Sequence, residues 1–359
     1  MADLLVYGSY GYTGDLIVGE ALDRGLEVLV AGRDRNAVEN QAIRHKCDER
    51  VFALDEPRLL DLALDEVDAV VHCAGPFEET AEPMVEGCLR TGTDYLDITG
   101  EIDVFEHLAG YDEKAEEAGI TVLPGVGFDV VPTDCLAAHL ADRLPEATQL
   151  SLGFEAGGGG LSPGTAKTAV QGLDEGGAVR RDGRIESEPV GSRTRRIDFG
   201  NGERTGMAVP WGDVSTAYHT TGIGDVEVYA AVPSWVPRVV RLGGLLGPLA
   251  SAGPVKSLLE SLVDARVDGP SEAERAAGKS FLWGEAETAD GKRAVSRLVA
   301  PETYRLTKLT AVEIGQRVVD GEAPPGFQTP AGAFGPDLIL DVDGVERTDE
   351  PIDERDVSN

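Results

Sequence analysis

Apolar and polar positions over the first 123 residues alternate in a regular order of short apolar run, turn and amphipathic segment. The apolar run at 3–7 predicts a strand, and the apolar run at 26–31 predicts the next one. Between them, helical spacing connects four apolar residues: Leu16, Ile17, Ala21 and Leu22. A strand, a helix and a second strand in this order are typical of a parallel sheet.

The same order continues along the chain. Further helices are predicted at 35–44, 57–64, 80–91 and 103–118, and further strands at 50–53, 69–73, 94–98 and 120–123. Six strands with intervening helices predict an α/β domain with a Rossmann-type, doubly wound parallel sheet. We place this first domain at residues 1–130.

The pattern changes after residue 149 to short strands, glycines and hairpin signals. Three dipeptides are typical of hairpin turns: Asp182-Gly183, Asn201-Gly202 and Asp290-Gly291. They predict a second, α+β domain with a mostly antiparallel sheet, at residues 131–300 and opened by a helix at 133–143. We expect this domain to serve substrate binding and dimerisation.

The end of the chain carries a helical pattern at 303–319 and an apolar run at 338–342 that predicts a last strand. We interpret residues 301–345 as a return of the chain to the first domain. The remaining residues, 346–359, are interpreted as an acidic tail, of which residues 349–359 are predicted to lack regular structure.

Three glycines at a spacing of three follow the first predicted strand and enter the first helix: Gly8, Gly11 and Gly14. Glycines at these positions permit a tight bend, close approach of the backbone to a pyrophosphate, and close packing of helix on strand. A plain glycine-rich loop is the alternative, and the flanking strand and helix argue against it. The predicted dinucleotide-binding residues are Gly8, Ser9, Tyr10, Gly11, Tyr12, Thr13 and Gly14.

Arg33 follows the second predicted strand, where a site specific for NAD carries an acidic residue that binds the ribose 2′-hydroxyl. A guanidinium at this position pairs with a 2′-phosphate, so the predicted cofactor is NADP(H). Arg35 and Arg58 are further candidates for this phosphate, with a solvated surface charge as the alternative for each.

Ligands of such sheets lie beyond the carboxyl ends of the strands, so the loops at that edge supply the other candidates. We predict that the cofactor contacts Ala74, Gly75, Pro76, Gly100, Phe128 and Asp129. The loop at 74–77 has an ordinary strand-to-helix turn as its alternative. Asp129 has two alternatives to cofactor binding, a catalytic carboxylate and a carboxylate that braces its loop.

The chain carries 64 acidic and 32 basic residues, a formal net charge of −32. Such a surface repels nucleic acid and anionic membranes, which argues against both as partners. We interpret the excess of acid as an adaptation to high salt, where screening weakens self-repulsion. Four cysteines and five histidines show no metal-site spacing, and the N-terminus shows no signal pattern, so we expect a cytoplasmic protein without a metal.

Residues 242–255 form an uncharged, mostly apolar stretch in this acidic chain. A bilayer span needs roughly 20 residues, so the stretch is not predicted to be transmembrane. It has three interpretations: a subunit interface of a homodimer, a lid over an apolar substrate, or core. Peripheral contact with a membrane remains open.

The motifs together resemble the saccharopine dehydrogenase-like oxidoreductases, and most closely their trans-acting enoyl reductase branch. The motifs that carry the resemblance are 8–14, 31–33, 95–101 and 127–134, with agreement at 210–213, 217–222 and 325–335. The resemblance covers nearly the whole chain. It implies an NADP-binding domain, a second domain completed by a C-terminal return, and hydride transfer to a substrate held between them.

The first functional hypothesis is therefore an NADPH-dependent reductase of an apolar enoyl substrate, a lipid or an isoprenoid. Such a reaction needs a hydrogen-bond donor for the enolate and a proton, and the candidates are Tyr218, His219 and Lys167. A packed or surface side chain is the alternative for each. Two other hypotheses are a saccharopine-type amino-acid dehydrogenase and a non-catalytic NADP sensor or scaffold. Six arginines between 180 and 196 are interpreted as surface charge, which argues against an amino-acid substrate.

Overall fold

The computed structural model describes residues 2–157, 176–189, 191–238, 240 and 270–353. The chain divides into two compact units. The first comprises Met1–Val131 and Tyr304–Val342, and the second comprises Pro132–Thr303 and Asp343–Asn359. Two segments with sequence predictions, the apolar stretch at 242–255 and Lys167, lie outside the described residues.

A parallel sheet of seven strands, counted within the described residues, forms the centre of the first unit. Its strands are β1 (Ala2–Tyr7), β2 (Val28–Gly32), β3 (Asp48–Val51), β4 (Val67–His72), β5 (Asp94–Asp97), β6 (Thr121–Leu123) and β15 (Gly326–Phe327). They follow the order β15-β6-β5-β4-β1-β2-β3. The predicted Rossmann-type sheet is therefore confirmed.

Helices of the first unit alternate with its strands. They are α1 (Tyr12–Asp23), α2 (Arg35–His45), α3 (Pro57–Leu64), α4 (Phe77–Thr91), α5 (Ile102–Ala109), α6 (Asp112–Ala118), α10 (Thr303–Val319) and α11 (Pro330–Phe334). Strand residues such as Leu4, Leu5 and Val6 are fully buried, as expected for strands covered on both faces. The sheet therefore holds its loops on a rigid base.

Two predicted elements of the first unit were wrong. The helix predicted at 103–118 is two helices, because the backbone breaks at Gly110 and Tyr111 before α6 begins. The strand predicted at 338–342 is a 3-10 turn, Leu338–Asp341. The chain instead contributes β15 to the sheet, where Gly326 and Phe327 pair in parallel with β6. The glycine at 326 has a φ of 99°, a conformation that favours glycine.

The second unit contains a mixed sheet, nine-stranded within the described part of the chain. Its strands are β7 (Ala147–Glu155), β8 (Gly177–Arg181), β9 (Arg184–Glu188), β10 (Thr194–Asp198), β11 (Glu203–Ala208), β12 (Asp225–Val232), β13 (Lys279–Thr288), β14 (Arg293–Pro301) and β16 (Glu346–Asp349). One pair, β7 and β12, is parallel, and the other pairs are antiparallel. The three predicted hairpin turns connect β8 to β9, β10 to β11 and β13 to β14.

Helices α7 (Val131–Arg143), α8 (Asp213–Thr221) and α9 (Glu272–Ala277) belong with this sheet. A β-carbon on Gly284 would lie 2.6 Å from Leu140 Cδ1, so α7 packs tightly onto β13. Within the described residues, no helix combines the length and the apolar composition needed to cross a bilayer.

The start of the predicted acidic tail is a strand, which corrects the assignment of residues 346–349. Strand β16 pairs with β14, and Asp349 accepts a hydrogen bond from Ser296 Oγ at 2.6 Å. Asp349 Oδ1 also lies 2.9 Å from His139 Nε2 and 3.5 Å from Arg143 Nη1. Burial opposes ionisation of this carboxyl, but the hydrogen bonds and positive neighbours lower its pKa. The acidic residue therefore has specific partners in the fold.

Candidate functional site

The turn between β1 and α1 is tied to strand β2. The N–H groups of Gly8 and Ser9 both donate to the carbonyl oxygen of Ala31, at 2.9 and 3.2 Å, and the N–H of Gly11 donates to Gly8 O at 3.0 Å. Gly8 has a φ of 76°, in the left-handed region that favours glycine. The turn is therefore preorganised by its own backbone and by the adjacent strand.

The glycines of this turn are required by close contacts. A β-carbon on Gly14 would lie 2.5 Å from Gly8 O, and one on Gly8 would lie 2.8 Å from Ala74 Cβ. Gly11 is the N-cap of α1 and has no side chain that binds the N–H groups of the first turn. A bare backbone cradle at a helix N-terminus fits the pyrophosphate of a dinucleotide, because the helix dipole and N–H groups favour an anion.

Arg33 marks the other end of this cradle. It is exposed directly after β2, and it forms no hydrogen bond or ion pair with any described residue. Its neighbours have other roles, since Asp34 caps α2 through Ala37 N–H and Arg35 lies 3.2 Å from Glu39. The ring of Tyr10 lies against Gly32, the residue before Arg33 in the chain. The guanidinium of Arg33 is thus available to a phosphate, and the residues present fit NADP(H).

The loop after β4 contains Ala74, Gly75 and Pro76, with a cis bond between the last two. Thr80 Oγ1 donates to Ala74 O at 2.8 Å and to Pro76 O at 3.0 Å. The Glu101 carboxylate accepts from the N–H groups at the start of α4, on Phe77 and Glu78, at 3.3 and 3.0 Å. Burial raises the pKa of Glu101, although these two bonds oppose the shift. The loops after β4 and β5 are therefore joined.

His72, next to this loop, is fully buried. Its Nε2 lies 2.9 Å from Thr80 Oγ1. Burial lowers the pKa of His72 to about 3, so the imidazole is neutral at physiological pH. This histidine therefore supports the loop through packing and one hydrogen bond, not through charge.

Asp97 braces the loops after β5 and β6, a role that the sequence prediction missed. Its carboxylate accepts hydrogen bonds from Tyr95 Oη at 2.7 Å and from the N–H groups of Thr99 and Gly125, each at 2.9 Å. Burial raises its pKa to about 6, against the effect of these bonds. The position of this aspartate at the end of a buried strand, two residues before a threonine, was the available sequence signal.

Asp129 lies in the loop between β6 and α7, and the loop is held from a second side by α10. Phe128 N–H donates to Thr307 Oγ1 at 3.0 Å, and Thr310 Oγ1 donates to Val126 O at 2.8 Å. The Asp129 carboxyl packs against Gly100, where a β-carbon would lie 3.0 Å from Oδ2. Burial raises the pKa of Asp129 to about 6. The Phe128 side chain is 6% exposed, so it packs in the interior.

Tyr218 and His219 both lie on α8 in the second unit. Their ring centroids are 5.8 Å apart, and the Arg180 guanidinium carbon lies 4.3 Å from the centroid of the Tyr218 ring. Tyr218 is half-buried and His219 is exposed. Lys167, the third predicted donor, is outside the described residues. The structure therefore brings two of the three predicted donors together within the second unit.

The interpretation of the arginines between 180 and 196 as surface charge was wrong for several of them. Arg180 is 3% exposed and donates to Val214 O and Gly183 O, both at 2.8 Å. Arg195 is paired with Glu285 at 2.6 Å and lies over the ring of Trp283. Long side chains such as these lay their apolar stems along neighbouring residues and hold their charged ends on polar partners, which local sequence does not reveal.

A polar cavity of about 380 Å³ lies in the second unit beside these arginines. Its charged lining residues are Arg181, Arg195, Arg293, Asp225, Glu227, Glu285 and Glu287. Arg181 is paired with Glu227 and Arg293 lies 2.8 Å from Glu287. The basic groups of this cavity are therefore balanced by acidic neighbours.

Comparison with known proteins agrees with the geometry of the first unit. Residues 4–123 match the saccharopine dehydrogenase NADP binding domain. A saccharopine dehydrogenase-like oxidoreductase of Mus musculus is 27% identical over 205 residues, 50% of this chain and 47% of that protein. A trans-acting enoyl reductase of Mycobacterium ulcerans is 27% identical over 155 residues, 40% of this chain and 36% of that protein. The chain thus spans about half the length, or less, of these curated relatives.

A solved structure is similar over the whole chain. Saccharopine dehydrogenase (L-Glu forming) from Saccharomyces cerevisiae aligns with a TM-score of 0.69, covering 98% of this chain and 100% of that one. The two sequences are 15% identical, so the similarity shows a shared fold.

Proposed function

We propose that this chain, whose residues 4–123 form a saccharopine dehydrogenase-type NADP-binding domain, is an NADPH-dependent reductase of a carbon–carbon double bond in an apolar enoyl substrate. One observation carries the cofactor assignment in this proposal: an exposed Arg33, without a hydrogen bond or ion pair to any described residue, follows β2 next to the bare glycine turn. A guanidinium at this position binds a 2′-phosphate, so the site favours NADPH over NADH.

The first unit has distinct roles for its loops in this proposal. The turn from Gly8 to Gly14, with Ser9, Tyr10, Tyr12 and Thr13, holds the pyrophosphate, and Arg33 binds the 2′-phosphate. The loops after β4, β5 and β6 surround the nicotinamide half through Ala74, Gly75, Pro76, Gly100, Phe128 and Asp129. The bound cofactor supplies the hydride.

The substrate class is supported by the relatives named trans-acting enoyl reductase and by the uncharged, mostly apolar stretch at 242–255 in the sequence. Hydride addition to a conjugated double bond produces an enolate, whose negative charge needs a donor. Tyr218, His219 and Lys167 remain the proposed donors of the second unit. Tyr218 is held in place by Arg180, which favours a defined orientation of its hydroxyl.

A second candidate function is an amino-acid dehydrogenase of the saccharopine type. The polar cavity of about 380 Å³ favours it, since arginines and carboxylates recognise an amino acid better than a lipid. Internal pairing of these arginines argues against it, because a ligand carboxylate must displace an existing partner. A non-catalytic NADP sensor is the remaining alternative.

The proposed setting is the cytoplasm, and the proposed assembly is a homodimer. Cys47, Cys73, Cys88 and Cys135 form no disulfide in the described residues, which supports a reducing compartment. The uncharged stretch at 242–255 is the proposed dimer contact or substrate entrance, and its composition supports both.

The test follows the NADPH absorbance in three parallel reactions: NADPH with enoyl lipids of several chain lengths, NADP⁺ with saccharopine, and each cofactor form with buffer alone. Oxidation of NADPH with enoyl lipids and formation of the saturated product support the proposal. Reduction of NADP⁺ by saccharopine, a secondary amine that can only give up a hydride, supports the second candidate. Tight NADPH binding without turnover of either substrate contradicts both reductase assignments and favours the sensor.

A further inference from the structure

Three carboxylates lie at the carboxyl edge of the first unit's sheet, Asp97 at the end of β5 and Glu101 and Asp129 on loops, and they differ in their hydrogen bonds. Asp97 accepts three bonds, and Glu101 accepts two. Asp129 accepts none from any described residue and is half-buried. The first two carboxylates are therefore committed to holding the loops, whereas Asp129 has capacity to bind a ligand or a proton.

The backbone around Asp129 is fixed although its side chain has no such partner. Asp97 O accepts from Val126 N–H at 2.8 Å, and Thr307 and Thr310 of α10 hold the same loop from the other side. Gly100 provides the space that the Asp129 carboxyl occupies. A side chain positioned in this way by rigid neighbours is suited to a defined contact.

The strand order indicates which half of the cofactor Asp129 would meet. Arg33 follows β2 and marks the adenosine end of the site. Strands β4, β5 and β6 lie on the opposite side of β1, so a dinucleotide crossing the edge at β1 places its nicotinamide half over their loops. Asp129 follows β6 and therefore belongs to the nicotinamide half.

We propose that Asp129 is a redox-linked acid, which holds a proton when the reduced cofactor is bound and is ionised when the oxidised cofactor is bound. This role rests on the proposed function, because it needs NADP(H) in the first unit. The oxidised nicotinamide ring carries a positive charge and the reduced ring is neutral. The positive charge of the oxidised ring stabilises a carboxylate in a poorly solvated loop, and the neutral reduced ring does not.

The surroundings of Asp129 bring its pKa close to physiological pH, where a change in the charge of the cofactor can change its protonation state. Burial raises the pKa of Asp129 to about 6 before any ligand is considered. The titratable groups on the adjacent loop are Asp97 and Glu101, both acidic, and α10 presents the uncharged hydroxyls of Thr307 and Thr310.

The proton of Asp129 completes the proposed reduction. One carbon of the double bond gains a hydride, and NADPH is thereby oxidised to NADP⁺. The other carbon gains the proton, which leaves the Asp129 carboxyl group, and the resulting carboxylate is stabilised by the positive ring. Release of NADP⁺ removes this stabilisation, and water returns the proton to Asp129.

The test compares the Kd of NADP⁺ with the Kd of NADPH from pH 5 to pH 8, by titration of the protein without substrate. The 2′-phosphate titrates near pH 6 in both forms, so its effect cancels in the ratio. The wild-type ratio of the NADP⁺ Kd to the NADPH Kd should fall with rising pH. The total fall in this ratio is about tenfold for each unit by which the pKa of Asp129 in the NADPH complex exceeds its pKa in the NADP⁺ complex.

The isosteric Asp129→Asn variant should make this ratio independent of pH. Asp103→Asn is the matched control, because Asp103 is exposed in the first turn of α5 and should retain the wild-type slope. Carbon-13 NMR of labelled aspartate in the wild type tests the same point without a variant. One carboxyl should be protonated with NADPH and ionised with NADP⁺ at the same pH.

A flat wild-type ratio, an unchanged slope in Asp129→Asn, or the same carboxyl state with both cofactor forms contradicts the role of Asp129. Failure of either cofactor form to bind contradicts the proposed function as well. The two failures are therefore distinguishable.

Discussion

The ring of Tyr10 lies against the α-carbon of Gly32, so close that a β-carbon on residue 32 would be 2.5 Å from Tyr10 Cε1. Gly32 is the last residue of β2, and Arg33 follows it at the adenosine end of the proposed cofactor site. The tyrosine is 37% exposed, so its ring is a wall of this site and not part of the core. The contact connects the glycine turn after β1 to the residue that precedes Arg33, which we propose selects the cofactor.

Gly32→Ala should weaken NADPH binding with little loss of stability. The new methyl group displaces the end of an exposed side chain, which swings away at small cost, but the ring then enters the space beside Arg33. Fluorescence titration gives the NADPH Kd, which we expect to rise about tenfold, equivalent to roughly 1.4 kcal/mol. The melting temperature should change little. The control is the double variant Tyr10→Ala with Gly32→Ala, in which the clash is absent. We expect the double variant to bind NADPH as tightly as Tyr10→Ala alone.

Gly14→Ala should be more damaging, because its β-carbon would lie 2.5 Å from Gly8 O and 2.9 Å from Ser9 Cα. Both are backbone atoms, so the turn itself must shift. We expect a loss of about 1–3 kcal/mol in the free energy of unfolding, measured with urea, together with loss of NADPH binding. Gly19→Ala on the same helix is the control, since its β-carbon would meet no atom within 4 Å. Equal behaviour of the two variants would contradict the close packing of the turn.

Asp97→Ala should lower the free energy of unfolding by about 3 kcal/mol or more, because Tyr95 Oη and the N–H groups of Thr99 and Gly125 lose their acceptor. Asp97→Asn keeps an acceptor and should cause a smaller loss of stability.

The stability contributed by Asp97 should depend on pH. Its pKa of about 6 in the folded protein exceeds its value in the unfolded chain, so the stabilisation from its bound proton is complete below about pH 4 and is lost as the pH rises through 6. The free energy of unfolding of Asp97→Asn, relative to that of wild type, should therefore rise from pH 4 to pH 7, by at most about 1.4 kcal/mol per pH unit. A pH-independent difference in urea unfolding would contradict the burial of a titrating carboxyl.

The first unit was largely predictable from sequence because its elements are specified locally. A short stretch of sequence is enough to predict a strand, a turn and a helix at the start of the chain. The signal is the spacing of Gly8, Gly11 and Gly14 together with the apolar runs on either side. The helix at Pro57–Leu64 agrees with the prediction at both ends, since a proline begins it and apolar residues recur along it. The left-handed conformations of Asp182 and Gly183 likewise match the hairpin that this dipeptide predicts.

The wrong predictions concern elements that depend on distant partners. The two residues of β15 become a strand because β6 lies beside them, some 200 positions earlier in the chain, and no periodicity is detectable in two residues. Strand β16 is acidic, and its residues are ordered by pairing with β14. The bracing role of Asp97 depends on Gly125 in another loop, and the burial of Arg180 depends on α8. None of these relations is encoded in a local pattern.

Salt should stabilise this protein. The formal net charge of −32 produces self-repulsion in the folded state, and screening at molar KCl reduces it. Exposed ion pairs of the fold, such as Arg35 with Glu39 at 3.2 Å, weaken under the same screening, but each of them contributes little to stability. We expect the melting temperature to rise from dilute buffer to molar KCl. A flat or falling melting temperature would show that repulsion between carboxylates does not limit stability.

The central claim, a cofactor site selective for NADPH through Arg33, is tested most directly by titrating the protein with NADPH and with NADH in one buffer. Wild type should bind NADPH more tightly, and Arg33→Asp should weaken NADPH binding by about 1.5–3 kcal/mol, the free energy of a charge-assisted hydrogen bond. The same variant should narrow or reverse the preference over NADH. Arg184→Asp, which makes the same charge change at an exposed arginine of β9, should leave both Kd values unchanged. Equal affinity of the wild type for NADPH and NADH, or an unchanged preference in Arg33→Asp, would contradict the account.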